Sequence, residues 1–152
     1  MQHALQISRK IEYGLRAMLC LAAMPVGEAV PFREVARRME VPEDFLAKIF
    51  KTLVEKGLAA STRGARGGYC LARPAAEISF LDVIEAVEGP VTVNHCTDPH
   101  NHCGFSPSCS MLAVWRLGQE RMLEVYREAK LDRLAMSDLR AVEPAGPIAA
   151  PG

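Results

Sequence analysis

The 152-residue sequence predicts a mainly α-helical fold carrying one short β-hairpin, and three observations predict it. Apolar residues recur at helical spacing in five stretches, over 8–23, 31–39, 43–56, 79–87 and 110–130. Between the third and fourth, residues 58–72 read instead as two short strands about a glycine-rich turn. The last helical stretch is longer and more apolar than a core of this size requires. In this order the elements make a winged helix-turn-helix with a two-stranded β-wing and a long C-terminal dimerisation helix. The expected divisions are a winged helix-turn-helix domain over 1–90, a cysteine-rich loop over 91–109, a dimerisation helix with a short final turn over 110–140, and a disordered tail over 141–152.

The first helix follows from Ile7, Ile11, Leu15, Met18, Leu19 and Ala22, which form one apolar face, with Pro25 and Gly27 as stops. Cys20 lies among them and reads as a buried small side chain. Pro31 can open the second helix, where Phe32, Val35, Ala36 and Met39 keep the spacing. Glu40-Val41-Pro42 is a tight turn, and Leu46, Ile49, Phe50 and Leu53 form the inner face of the third helix. Its outer face carries Asp44, Ala47, Lys48, Lys51 and Glu55, and Gly57 is the expected stop. A helix pair of this kind is a candidate major-groove reader, with Asp44, Phe45, Lys48 and Lys51 nearest the DNA. The hairpin tip Arg63-Gly64-Ala65-Arg66-Gly67-Gly68 sets Arg63 and Arg66 where a wing grips phosphates or a minor groove. Cys70 reads as a strand packing residue. Ser79 and Asp82 have capping-box spacing, with Asp82 in place of the usual Glu or Gln. Phe80, Val83, Ile84 and Val87 face inward until Gly89-Pro90. In the last helix Met111, Trp115, Gly118, Met122 and Val125 form a stripe widened by Leu112 and Tyr126, with Leu131–Leu134 as a further turn.

The loop between these helices holds Cys96, Cys103 and Cys109, three of the five cysteines, and His95, His100 and His102, three of the four histidines. A proline- and glycine-broken loop that buries little has no packing reason to collect thiols. Soft sulfur ligands on a bendable loop suit zinc, copper(I) or an iron–sulfur cluster. Asp98 is the only acid within the loop, and nothing assembles around it as the base and pocket of a catalytic zinc site; an enzyme is not expected.

The formal net charge is zero, but residues 1–75 carry 12 basic and 7 acidic side chains and residues 76–152 carry 6 and 11. The basic half is the half with the helix pair and hairpin, which suits a polyanion. The apolar run 17–26 follows Glu12 and Arg16 and lacks a good cleavage site, so it reads as a core helix. A cytoplasmic protein with no membrane partner is expected. There, an odd set of cysteines points to metal more than to disulfides.

The segment Glu12-Tyr13-Gly14-Leu15-Arg16-Ala17-Met18, the helix pair, Thr62 to Tyr69, 78–86, the three cysteines and Ala113-Val114-Trp115-Arg116 occur in that order. Over about residues 5–135 this set resembles the bacterial winged-helix iron–sulfur regulators that include IscR, NsrR and RirA. The resemblance implies a homodimeric transcription factor that binds double-stranded operator DNA, acts as a repressor, and holds a [2Fe-2S] or [4Fe-4S] cluster through Cys96, Cys103 and Cys109. The cluster would sense iron, redox state or nitric oxide. The first cysteine gap is one residue longer here than in IscR and NsrR, and Leu112 stands where IscR-like members use a histidine ligand. NsrR-like members use an acidic residue early in the first helix, supplied by the other subunit, and Glu12 matches that position. His95, His100 and His102 are local alternatives. IscR-like proteins also carry a glutamate where this chain has Ala47. A cluster-free regulator with a zinc or thiol-redox loop is the other reading.

Overall fold

The computed structural model describes residues 6–135. The expected tail over 141–152 and the last five residues of the division at 110–140 lie outside them. The elements are α1 (Arg9–Ala22), α2 (Phe32–Met39), α3 (Glu43–Glu55), β1 (Ala59–Thr62), β2 (Gly68–Leu71), α4 (Phe80–Glu88), α5 (Ser110–Glu128) and α6 (Leu131–Leu134). Short 3-10 turns occupy Ala75–Glu77, His95–Thr97 and Ser106–Ser108.

Helix α1 is the hub. Ser8 caps it, accepting from the Ile11 amide at 3.3 Å. The sequence predicts one buried face, but Ile11, Gly14, Leu15, Ala17, Met18, Cys20 and Leu21 are all buried. Ile7, expected on that face, precedes the helix and is exposed. The broader burial arises because α2, α3 and α4 all pack on α1. Small residues make this possible: a Cβ on Gly14 would lie 2.9 Å from a Val87 methyl. Cys20 is buried as expected, and burial raises its thiol pKa.

The helix pair turns through Glu40, which adopts a left-handed conformation with φ 53°, and the Val41 amide donates to the Ala36 carbonyl at 3.0 Å. Leu46, Ile49, Phe50 and Leu53 are buried, as their spacing predicts. Gly57, φ 72°, ends α3 in a Schellman motif, with the Leu58 amide donating to the Leu53 carbonyl at 2.9 Å.

In the wing, β1 and β2 pair antiparallel from Ala59↔Leu71 to Thr62↔Gly68. The sequence reading lacked a third participant. Val30 bridges to Tyr69, each amide donating to the other's carbonyl at 2.8 and 2.9 Å. Gly68 is required here, since a Cβ on it would lie 2.1 Å from the Val30 carbonyl oxygen. Tyr69 also stacks on the buried Phe50, rings parallel with centroids 4.0 Å apart. The wing is therefore fastened to the start of α2 by backbone and to α3 by side chains.

Ser79 and Asp82 form a reciprocal capping box on α4, with bonds of 2.8 and 3.0 Å. The end of α5 returns to this point: the Phe80 amide donates to the Ala129 carbonyl at 2.8 Å, and the Leu131 amide to the Ile78 carbonyl at 3.0 Å. Helix α5 has no fully buried residue. Its predicted stripe divides into two faces. Leu112, Met122, Leu123 and Tyr126 are half-buried, Tyr126 against Phe80. Met111, Val114, Trp115, Leu117 and Val125 are exposed.

Candidate DNA-reading surface and cysteine cavity

The outward side of α3 presents Asp44, Phe45, Ala47, Lys48 and Lys51, all exposed because Leu46, Ile49, Phe50 and Leu53 hold the opposite side in the core. Arg63 and Arg66 are exposed on the five-residue tip between β1 and β2. The chain thus brings a helix side and a hairpin tip, joined through Phe50 and Tyr69, into one basic unit. Two further arginines, Arg37 and Arg38 on α2, are occupied by Glu34. Hydrogen bonds from Arg37 and then Arg38 hold the Glu34 carboxyl well below the usual carboxylate range, at about 2. That pairing occupies the two α2 guanidinium groups, whereas Lys48, Lys51, Arg63 and Arg66 are exposed.

The cysteine loop has more order than its sequence suggests. Asn94 caps the turn His95–Thr97: its side chain accepts from the His95 amide at 2.8 Å, while its own amide donates to Thr97 Oγ1 at 3.2 Å. The Val93 amide donates to Gln119 Oε1 on α5 at 2.8 Å, tying the loop entrance to that helix. Asp98 accepts from the His100 amide at 2.9 Å and from Asn101 Nδ2 at 2.6 Å. At the far end Cys109 precedes α5, and its carbonyl accepts from the Leu112 amide at 3.2 Å.

These anchors converge on a cavity of about 480 Å³, lined by Cys96, Cys103 and Cys109 together with Asn94, His95, Phe105, Ser106, Met111, Leu112 and Trp115. All three cysteines are half-buried free thiols. Leu112 is part of the apolar wall. Of the three loop histidines, His95 alone is in the lining. Glu12 is not part of it; the Glu12 carboxylate pairs with Arg16 one turn along α1. Among the described residues, no three His, Cys, Asp or Glu side chains converge closely enough to hold one metal ion. Three thiols around an apolar space are a soft donor set of the kind that holds zinc, copper(I) or an iron–sulfur group. The sequence reading did not anticipate Trp115 and Phe105 as cavity walls, although Trp115 lies one helical turn after Met111.

A helix pair, a wing and a long exposed C-terminal helix define a winged-helix transcriptional regulator. The sequence pattern of Rrf2, described as iron-dependent transcriptional regulator, matches residues 7–137, and the chain belongs to that family. A Mycobacterium tuberculosis protein described as an HTH-type transcriptional regulator is 34% identical over 131 residues, covering 86% of this chain and 81% of that protein. CymR, the global cysteine regulator of B. subtilis, superposes with a TM-score of 0.73 at 28% identity over 86% of this chain and 96% of its own. T. potens IscR superposes with a TM-score of 0.70 at 27% identity, covering 93% and 94%. No helix of the described residues is long and apolar enough to cross a membrane.

Proposed function

We propose that the protein is a homodimeric repressor whose affinity for operator DNA is set by an iron–sulfur cluster, [2Fe-2S] or [4Fe-4S], held by Cys96, Cys103 and Cys109. The observation that carries this reading is the convergence of the three loop cysteines on one apolar cavity against the start of α5. Membership of a family described as iron-dependent, and the likeness to IscR, support it. When bound, the cluster would supply an iron centre sensitive to iron shortage, oxidants or nitric oxide, because three thiolates leave one position for a weaker ligand.

Glu12 is the proposed fourth ligand. It does not line its own chain's cavity, so it would serve the cavity of a second copy; His95 is the local alternative. The chain's own contribution is mechanical. Cys96 stands on a capped turn and Cys109 at the first turn of α5, so ordering both thiols orders the loop and the helix start together. Arg16 pairs with Glu12 and also donates to the Met39 carbonyl at 3.2 Å, so engaging Glu12 elsewhere would act on a side chain that reaches the turn of the helix pair. The exposed apolar residues of α5 support pairing with α5 of a second copy. In the DNA complex Asp44 and Phe45 would meet base edges, Lys48 and Lys51 phosphates, and Arg63 and Arg66 the backbone or a minor groove.

The test is protein purified without oxygen, with iron, sulfide and zinc measured alongside DNA affinity. Visible absorbance with about as much sulfide as iron is expected. Replacing Cys96, Cys103 and Cys109 together by serine should remove both and leave DNA affinity unresponsive to iron, oxidants and nitric oxide. A colourless wild-type protein holding zinc overturns the cluster reading. The likeness to CymR, one S. aureus structure of which is an oxidised form, favours a thiol-redox loop as the second reading. A metal-free protein whose DNA affinity follows its thiol state would establish that instead.

A further inference from the structure

We propose that Tyr13 is a positioning residue for DNA sequence reading: it holds the exposed Phe45 ring where it lies against the 5-methyl group of a thymine in the major groove. The inference rests on the reading of α3 as the recognition helix.

Phe45 is the third residue of α3 and is 55% exposed, whereas Phe50, the other aromatic of that helix, is fully buried. The N-terminal part of a recognition helix is the part that reaches base edges. A phenyl ring has no hydrogen bond to give or take there. In the major groove, the apolar group available to it is the thymine methyl. Its neighbours Glu43 and Asp44 are exposed carboxylates, which phosphates repel but which accept hydrogen bonds from the amino group of cytosine. The side chains of the first turn of α3 are thus suited to bases rather than to phosphates; Lys48 and Lys51 come one turn later.

A reading ring needs a fixed direction. Tyr13, half-buried on α1, meets Phe45 edge to face, with centroids 6.0 Å apart and planes at 69°. Tyr13 is held in turn by Arg16, whose guanidinium carbon lies 5.9 Å from the Tyr13 ring centroid. Arg16 also donates to the Met39 carbonyl at the end of α2. One side of α1 therefore supports both helices of the pair, Arg16 at the end of α2 and Tyr13 at the start of α3. Rotation of the Phe45 side chain, free in an exposed phenylalanine, is limited by the Tyr13 edge.

The experiment selects a duplex from a random pool with the wild-type protein and replaces its thymines by uracil one at a time, removing one methyl per step. One thymine in each half-site should then bind about fourfold more weakly, the loss of one buried methyl. Tyr13→Ala should reduce that thymine-to-uracil ratio to near one while leaving binding to an unrelated duplex, and its salt dependence, at wild-type values. Tyr13→Phe should retain the ratio, because the ring edge is kept. Phe45→Ala, an exposed substitution that leaves the core intact, should abolish it. A wild-type protein indifferent to every thymine methyl, or a Tyr13→Ala variant with the full ratio, overturns the inference and leaves the regulator reading untouched. Selection of no preferred duplex overturns the regulator reading and this inference with it.

Discussion

Gly68 shows how one missing carbon sets a local architecture. Its Cα faces the Val30 carbonyl so closely that a methyl group would lie 2.1 Å from the oxygen. Gly68→Ala must therefore break the Val30–Tyr69 bridge and its two hydrogen bonds. The expected loss is about 2 kcal/mol, two bonds at roughly 1 kcal/mol each, measured as a lower urea midpoint. An unchanged midpoint would mean that the bridge contributes little. The sequence shows a glycine-rich turn here, but not what approaches it. Val30 is a one-residue bridge partner with no periodicity around it, so no pattern reveals it. Capping is the opposite case. Ser79 and Asp82 announce their box by spacing, because the geometry that bonds them is local.

At the scale of the element, helices were readable wherever burial follows one period. α3 buries the four residues its spacing names. α1 does not, because three helices close over it and the pattern of any one face is overwritten. α5 carries two partial stripes that merge in sequence into one broad apolar band, and only packing against α4 separates them. The outward stripe is the proposed dimer seam, and Val114 is one of its most exposed residues. Val114→Glu would bury an unpaired carboxylate there, at a cost of at least about 2 kcal/mol. That weakens the dimer roughly thirtyfold. Sedimentation should then show monomer at concentrations where the wild type is paired, with helix content unchanged. A paired variant would remove the seam from Val114. The cysteine loop was readable in chemistry but not in shape, since the cavity depends on Trp115 and Met111 arriving from the next element.

For the molecule as a whole, the neutral total conceals a basic half that contains the helix pair and wing and an acidic half that contains α4 and α5. Such a molecule should be drawn to DNA by one side only. Arg63→Ala with Arg66→Ala should weaken binding and flatten the slope of log affinity against log salt by about 0.9 for each phosphate that is no longer neutralised. An unmoved slope would mean that the wing tip stands clear of the backbone.

The Phe80 amide's bond to the Ala129 carbonyl, the Leu131 amide's bond to the Ile78 carbonyl and the Val93 amide's bond to Gln119 Oε1 fasten the C-terminal end and the middle of α5 to the rest of the chain. Paired helices so fixed would leave each subunit little freedom to swivel on its own. Spacing between two operator half-sites, about 34–36 Å for one helical turn, would then be chosen by the angle at which the two long helices cross. Operators with one base pair inserted at the centre of symmetry should consequently be rejected outright, with no partial tolerance.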